Sequence, residues 1–160
     1  MFADLLRIKK YREDSAARAV KIAEQELKAR QQAVRDAEQA VAKHHDFRIA
    51  EEERLFAAIK GSPVNLKKLD EMKAMVALLR DDEQRLEKAV VAAEKEVPPA
   101  RKAVEAAEAV HREAVKATQK FTQFVEIQRE AEKKAAGQRE EAELEETAEA
   151  GFAAAQRAGE

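Results

Sequence analysis

The chain has 160 residues, 39% of them charged and 45% hydrophobic with alanine predominant; six Phe, one Tyr and no Trp supply too little large apolar volume for an ordinary globular core. Its 30 basic and 32 acidic residues leave a net charge of -2, which gives no reason to expect general nucleic-acid affinity. Cysteine is absent, which excludes a disulfide scaffold. No apolar run approaches the ~18 residues of a membrane span, and Met1 to Tyr11 is too charged for a signal segment, so the chain is expected to be cytoplasmic without inserting into a membrane. Four glycines and three prolines allow few turns, so the elements between them must be long.

The first helix is expected over about 3–60, opening near Ala3 or Asp4, where an acidic residue suits a helix N-terminus. Its 3-4 seam reads Phe2, Leu6, Lys9, Glu13, Ala16, Val20, Ala23, Leu27, Arg30, Val34, Ala37, Val41 and His44. Beyond Val41 the apolar residues shift phase to His45, Ile49, Phe56 and Ile59, as an inserted four-residue step would produce, so the coil is expected to unwind locally near His44 and His45.

A turn follows at 61–65. Gly61 can take the left-handed conformation that closes a helix, Ser62 can cap the next one, and Pro63 suits its first turn. So short a connection makes the neighbours antiparallel. Helix one then faces helix two in reverse order, with Phe2 opposite Gln123 and Leu27 opposite Val97 or Pro98.

The second helix, from 66, carries the stronger seam. Alternating steps of three and four from Leu69 give Met72, Val76, Leu79, Glu83, Leu86, Val90, Ala93, Val97, Ala100, Val104, Ala107, His111, Ala114, Thr118, Phe121, Val125 and Gln128. All but Glu83, His111, Thr118 and Gln128 are apolar, the signature of a left-handed coiled coil held over about eight heptads. Pro98 and Pro99 interrupt it, each costing ~3 kcal/mol or more mid-helix if uncompensated. The seam keeps its frame across them, which reads as a kink or one broken turn inside a continuing helix, with a separate third helix as the alternative.

Residues 126–160 have no partner within the chain and are expected to be an unpaired helical extension becoming an acidic, flexible tail. The expected fold is all-α: a long two-helix antiparallel coiled-coil hairpin over 1–125, second helix longer, with a frayed C-terminal tail. Phe124 and Ile127, with Phe2 and Leu5, would form an exposed apolar patch, and such a patch invites a partner.

Little in the sequence supports chemistry. There is no glycine-rich phosphate loop and no nucleophile-base arrangement, and the histidines lie too far apart on the hairpin to share a metal. Carboxylate runs such as Glu51, Glu52, Glu53 and Asp81, Asp82, Glu83 lack a concave, dry pocket that would raise a pKa. We therefore expect no enzyme, cofactor or metal centre. Two clusters stand out instead. Arg7, Lys9, Lys10 and Arg12 form a basic collar, read either as ordinary coiled-coil charge or as a docking collar for an acidic surface. Around the turn, Phe47, Phe56, Ile59, Leu66, Met72 and Met75 concentrate bulky apolar side chains, some of which two helices must leave exposed.

Three segments resemble a known family. Leu5-Leu6-Arg7-Ile8-Lys9-Lys10-Tyr11-Arg12-Glu13, Phe47 to Phe56 with Arg54-Leu55-Phe56 ahead of the turn, and Leu66 to Glu83 with Leu69-Asp70 and Leu78-Leu79-Arg80 after it are similar to YscO proteins, the central stalks of type III secretion injectisomes, related in role to flagellar FliJ. The resemblance covers roughly residues 1 to 125; Pro98-Pro99 and the long Ala/Glu tail depart from it. It implies a hairpin whose terminal end enters a hexameric secretion ATPase, promoting its assembly or activity, and whose turn end reaches the cytoplasmic domain of the export gate, at the periphery of the membrane-embedded apparatus. Secretion chaperones are a further partner it implies. Carried over by region, Arg7, Lys9, Lys10 and Arg12 are ATPase-side contacts, and Phe47, Phe56, Leu69, Met72, Val76 and Leu79 lie in the gate-side half. The competing expectation is a homodimeric coiled-coil scaffold or chaperone-docking protein without ATPase coupling.

Overall fold

The computed structural model describes residues 2–61, 63 and 65–159. Three helices follow in order: α1 (Phe2–Ile59), α2 (Leu66–Lys95) and α3 (Val97–Ala158). Only Glu96 separates α2 from α3, so the second arm of the hairpin is one interrupted helix, longer than the first. The chain divides into two compact units: a terminal unit, Met1–Ser15 with His111–Glu160, and a turn unit, Ala16–Val110.

Within the turn unit the pairing is antiparallel. His45 on α1 meets Glu83 on α2, whereas Glu52, further along α1, meets Arg80, further back on α2. The terminal unit pairs the same way: Phe2 packs on Phe121 and Phe124, bracketing the expected Gln123, while Thr118 lies against the Lys9 carbonyl at 3.5 Å. Every position of the Leu69–Gln128 seam is buried or half-buried. Two helices can bury only one stripe each, so the core is shallow: Ala16, Met72, Ala100 and Val104 are its most buried apolar residues. Alanine at two of these places lets the helices approach closely. Among the seam's polar exceptions, Thr118 satisfies its hydroxyl by donating to the Ala114 carbonyl one turn back, at 3.0 Å.

Three local expectations need correction. No described glycine has a positive φ, so Gly61 does not close α1 in the left-handed conformation. Nor does Pro63 lie in the first turn of α2, which begins at Leu66. Asn65, in extended geometry (φ -83°, ψ 137°), is its N-cap, and its side-chain oxygen accepts from the Lys67 amide at 2.9 Å; Ser62 lies outside the described residues. The third correction concerns α1, which runs unbroken through His44 and His45. Its inward face continues Val41, His44, Arg48, Glu52, Leu55, Ile59, in which the two successive four-residue steps from His44 to Glu52 are the expected extra step; they carry Arg48 and Glu52 inward and leave Ile49 and Phe56 outside, and Gln31 rather than Arg30 holds the inward place after Leu27.

The proline pair causes one broken turn. The Glu96 amide donates back only three residues, to the Ala93 carbonyl at 3.2 Å, and α3 restarts at Val97. Pro98 and Pro99 thus fall in the first turn of α3, where helix amides have no intrahelical partner to lose. Beside the break an open cleft of about 460 Å³ is floored by Val34, Val97 and Pro98. Beyond Gln128, α3 remains helical to Ala158 with nearly every residue exposed, where the lack of a buried face had suggested fraying. Its Ala, Glu, Lys and Arg content has the strongest intrinsic helix preference, which accounts for helix without packing.

Candidate interaction surfaces

In the turn unit the seam changes from apolar to ionic in the last third of α1. Arg48 and Glu52 occupy inward positions one turn apart, where a coiled coil ordinarily holds aliphatic residues. Arg48 reaches both oxygens of Glu52, at 3.1 and 3.2 Å, and pairs across the hairpin with Glu83. His45 Nδ1 donates to the other Glu83 oxygen at 2.7 Å, and Arg80 Nε donates to Glu52 at 3.2 Å. Side-chain exposure is only 15% for Arg48, 12% for Glu52 and 13% for Glu83, so these charges are screened less than the surface pairs around them. Next to them, His44 Nε2 donates to the Leu79 carbonyl at 2.9 Å and stacks obliquely on Phe47.

Acid-base catalysis is a poor use for these groups. The carboxyl of Glu83 is held below its ordinary range by the hydrogen bond from His45, against the opposing effect of its burial, with Arg48 adding its charge. For Glu52 desolvation is the largest influence and pushes upward, but the hydrogen bonds from Arg80 and Arg48 together outweigh it, and the net shift is downward. Glu51 is lowered by Arg54. Carboxylates held ionised this way are structural anions, whereas a general acid at neutral pH needs the opposite shift. Among the described residues no cluster of three or more His, Asp or Glu is placed to hold a metal ion.

The residues expected at the gate side fall into two groups. Leu69, Val76 and Leu79 are half-buried and Met72 is buried, so these four hold the hairpin together; Phe47 and Phe56 are exposed. Met75 and Leu78, on α2, are exposed as well. In the sequence Leu78 stands only within Leu78-Leu79-Arg80 and not among the bulky apolar residues around the turn, to which its exposure adds it.

In the terminal unit the rings of Phe2, Phe121 and Phe124 meet one another with centroids 5.8–6.4 Å apart. Such tilted contacts add to simple area burial. The basic collar is not uniform. Arg7 is paired with Asp4 at 3.0 Å, and Lys9 is half-buried with its ammonium 5.5 Å from the Phe121 ring centroid, a cation-π arrangement. Lys10 and Arg12 are exposed, and Lys10 borders a polar groove with Glu13, Thr118, Thr122 and Glu126. Among the described residues, no helix is long and apolar enough to cross a membrane.

These features coincide with a family match over nearly the whole chain. The family model described as type III secretion protein YscO matches residues 2–150. The 2.8 Å crystal structure of type III secretion protein YscO from Vibrio parahaemolyticus is similar at 32% sequence identity, covering 91% of this chain and 92% of that one, with a TM-score of 0.80. No curated protein matches the chain.

Proposed function

Because the chain belongs to the YscO family of type III secretion proteins, we propose that it is the central stalk of a secretion system: it inserts its terminal unit into the hexameric secretion ATPase, promotes that enzyme's assembly or activity, and links it to the export gate. It works in the cytoplasm, at the periphery of the membrane-embedded apparatus. The observation that carries this reading is that each unit presents its own exposed apolar surface: Phe2, Leu5, Phe124 and Ile127 in the terminal unit, and Phe47, Phe56, Met75 and Leu78 in the turn unit. A protein that joins two partners needs two such surfaces.

The energetics suit the role. One asymmetric hairpin inside a sixfold ring cannot satisfy all equivalent sites at once, so its contacts must be exchangeable from subunit to subunit. Exposed ion pairs worth less than ~1 kcal/mol meet that requirement. Stiffness comes separately, from seam residues whose full burial is worth ~1.5–3 kcal/mol each.

The test is differential binding. Phe56→Ser leaves the seam intact and Phe47→Ser removes only the ring beside His44, and each is expected to weaken binding to the cytoplasmic domain of the export gate by about tenfold while leaving ATPase binding within about twofold. Loss of ATPase binding with gate binding preserved would reverse the assignment of the two regions.

A further inference from the structure

The terminal unit is dressed differently on its two flanks. On one side Lys10 and Glu13 of α1 share a groove with Thr122 and Glu126 of α3, so that flank is polar and carries both signs of charge. Residues on the opposite side of α1 are reached by steps of three and four through Leu5, Ile8 and Arg12; on α3 the corresponding steps run through Lys120, Phe124 and Ile127. The contact of Phe124 with Phe2 keeps that side of α3 against the start of α1. All six of these residues are exposed, four are large and apolar, two are cationic and none is acidic.

We propose that this flank, apolar along Leu5, Ile8, Phe124 and Ile127 and edged by Arg12 and Lys120, is the face by which the terminal unit docks on the secretion ATPase, against an apolar stretch of the ring bordered by carboxylates. The inference rests on the stalk reading and goes beyond it in naming one flank and its chemistry. Charge complementarity sets the partner's sign: the acids bordering this flank are each paired with a neighbouring cation, Asp4 with Arg7 and Glu113 with Lys116, which leaves Arg12 and Lys120 as its excess charge, repelled by basic linings and steered by acidic ones. Affinity comes from the apolar centre, since desolvated large side chains dominate interface energetics while rim charges chiefly tune encounter. The basic collar therefore does not act as a whole. Arg7 is paired with Asp4, Lys9 is committed to Phe121 and Lys10 lies on the other flank, which leaves Arg12 as the α1 cation facing the ATPase.

Binding of the full-length chain to the ATPase, measured by fluorescence anisotropy, tests this. Ile127, 65% exposed, can be changed without disturbing the fold. Ile127→Asp is expected to weaken binding by about tenfold or more and Ile127→Met to restore it, with helicity by circular dichroism unchanged. Lys120→Glu should weaken binding and flatten its salt dependence, whereas Lys10→Glu on the polar flank should stay within about twofold. If the unmodified chain binds but Ile127→Asp binds equally well, or Lys10→Glu is the damaging change, the assignment of this flank is overturned and the stalk reading survives. If the unmodified chain does not bind the ATPase at all, the stalk reading itself fails. Should the chain instead dimerise and Ile127→Asp render it monomeric, the occupant is a second copy, and the proposal is overturned.

Discussion

Met72→Ala is expected to lower the free energy of unfolding by about 2–3 kcal/mol, the lower part of the range for truncating a buried long aliphatic side chain. Met72 is 8% exposed, one of four apolar residues buried so deeply among the described residues, and it lies in the first turns of α2, directly after the connection. With so thin a core there is no second layer to take up the loss. Urea denaturation followed by helicity should show a lower midpoint, and binding to the export gate should fall only in proportion to the unfolded fraction. A Met72→Ala variant of unchanged stability that fails to bind the gate would mean that this side chain is part of the docking surface.

Arg48→Met should be the most damaging single change in the ionic stretch of the seam, because it leaves Glu52 and Glu83 at inward positions after removing the cation they share. The pH dependence separates this from a simple packing defect. Both carboxyls titrate below their ordinary range in the folded protein, so their contribution is fully present above the ordinary glutamate value of about 4 and is lost as pH falls through the lowered folded values. Acidification therefore destabilises the native hairpin. In Arg48→Met part of that lowering is gone, so the variant should melt earlier at pH 7 yet lose less on going to acid. Thermal melts across this range would show the two curves converging; parallel curves would mean that Arg48 acts through packing alone.

This stretch also marks where the sequence stopped being readable. The seam from Leu69 to Gln128 was legible because its inward positions are mostly aliphatic, and each of them is at least half-buried. The second half of α1 was not, because inward positions there hold Arg48 and Glu52, whose partners lie on another helix. Following apolar residues alone leads outward, to Ile49 and Phe56, whereas the extra four-residue step lies between His44 and Glu52 and is carried by charged residues. A signal was present. Val41, His44, Arg48, Glu52, Leu55 and Ile59 follow one another by steps of three and four with one four-residue step repeated, and Glu83, the anomalous acid of the opposite seam, is the partner that Arg48 requires.

The proline pair reads as a kink or one broken turn because the seam keeps its frame on both sides, and of the two the structure has the broken turn at Glu96. At the connection Asn65, rather than the expected Ser62, is the observed cap of α2, since Pro63 is followed by two further residues before the helix starts. The interaction surfaces were legible only by region. Composition placed bulky apolar residues near the turn and cations near the N-terminus, but which of them face outward depends on the rotation of each helix about its own axis. The antiparallel contacts fix that rotation, sending Leu69, Met72, Val76 and Leu79 inward and Phe47, Phe56, Met75 and Leu78 outward.

The stalk reading is tested most directly by the rate of ATP hydrolysis of the cognate secretion ATPase, at a concentration where it is mostly unassembled, with and without this protein, while light scattering reports hexamer formation. Hydrolysis and assembly should rise together and saturate near one chain per hexamer. If neither changes and the protein alone scatters as a dimer, it is a coiled-coil scaffold and not a stalk.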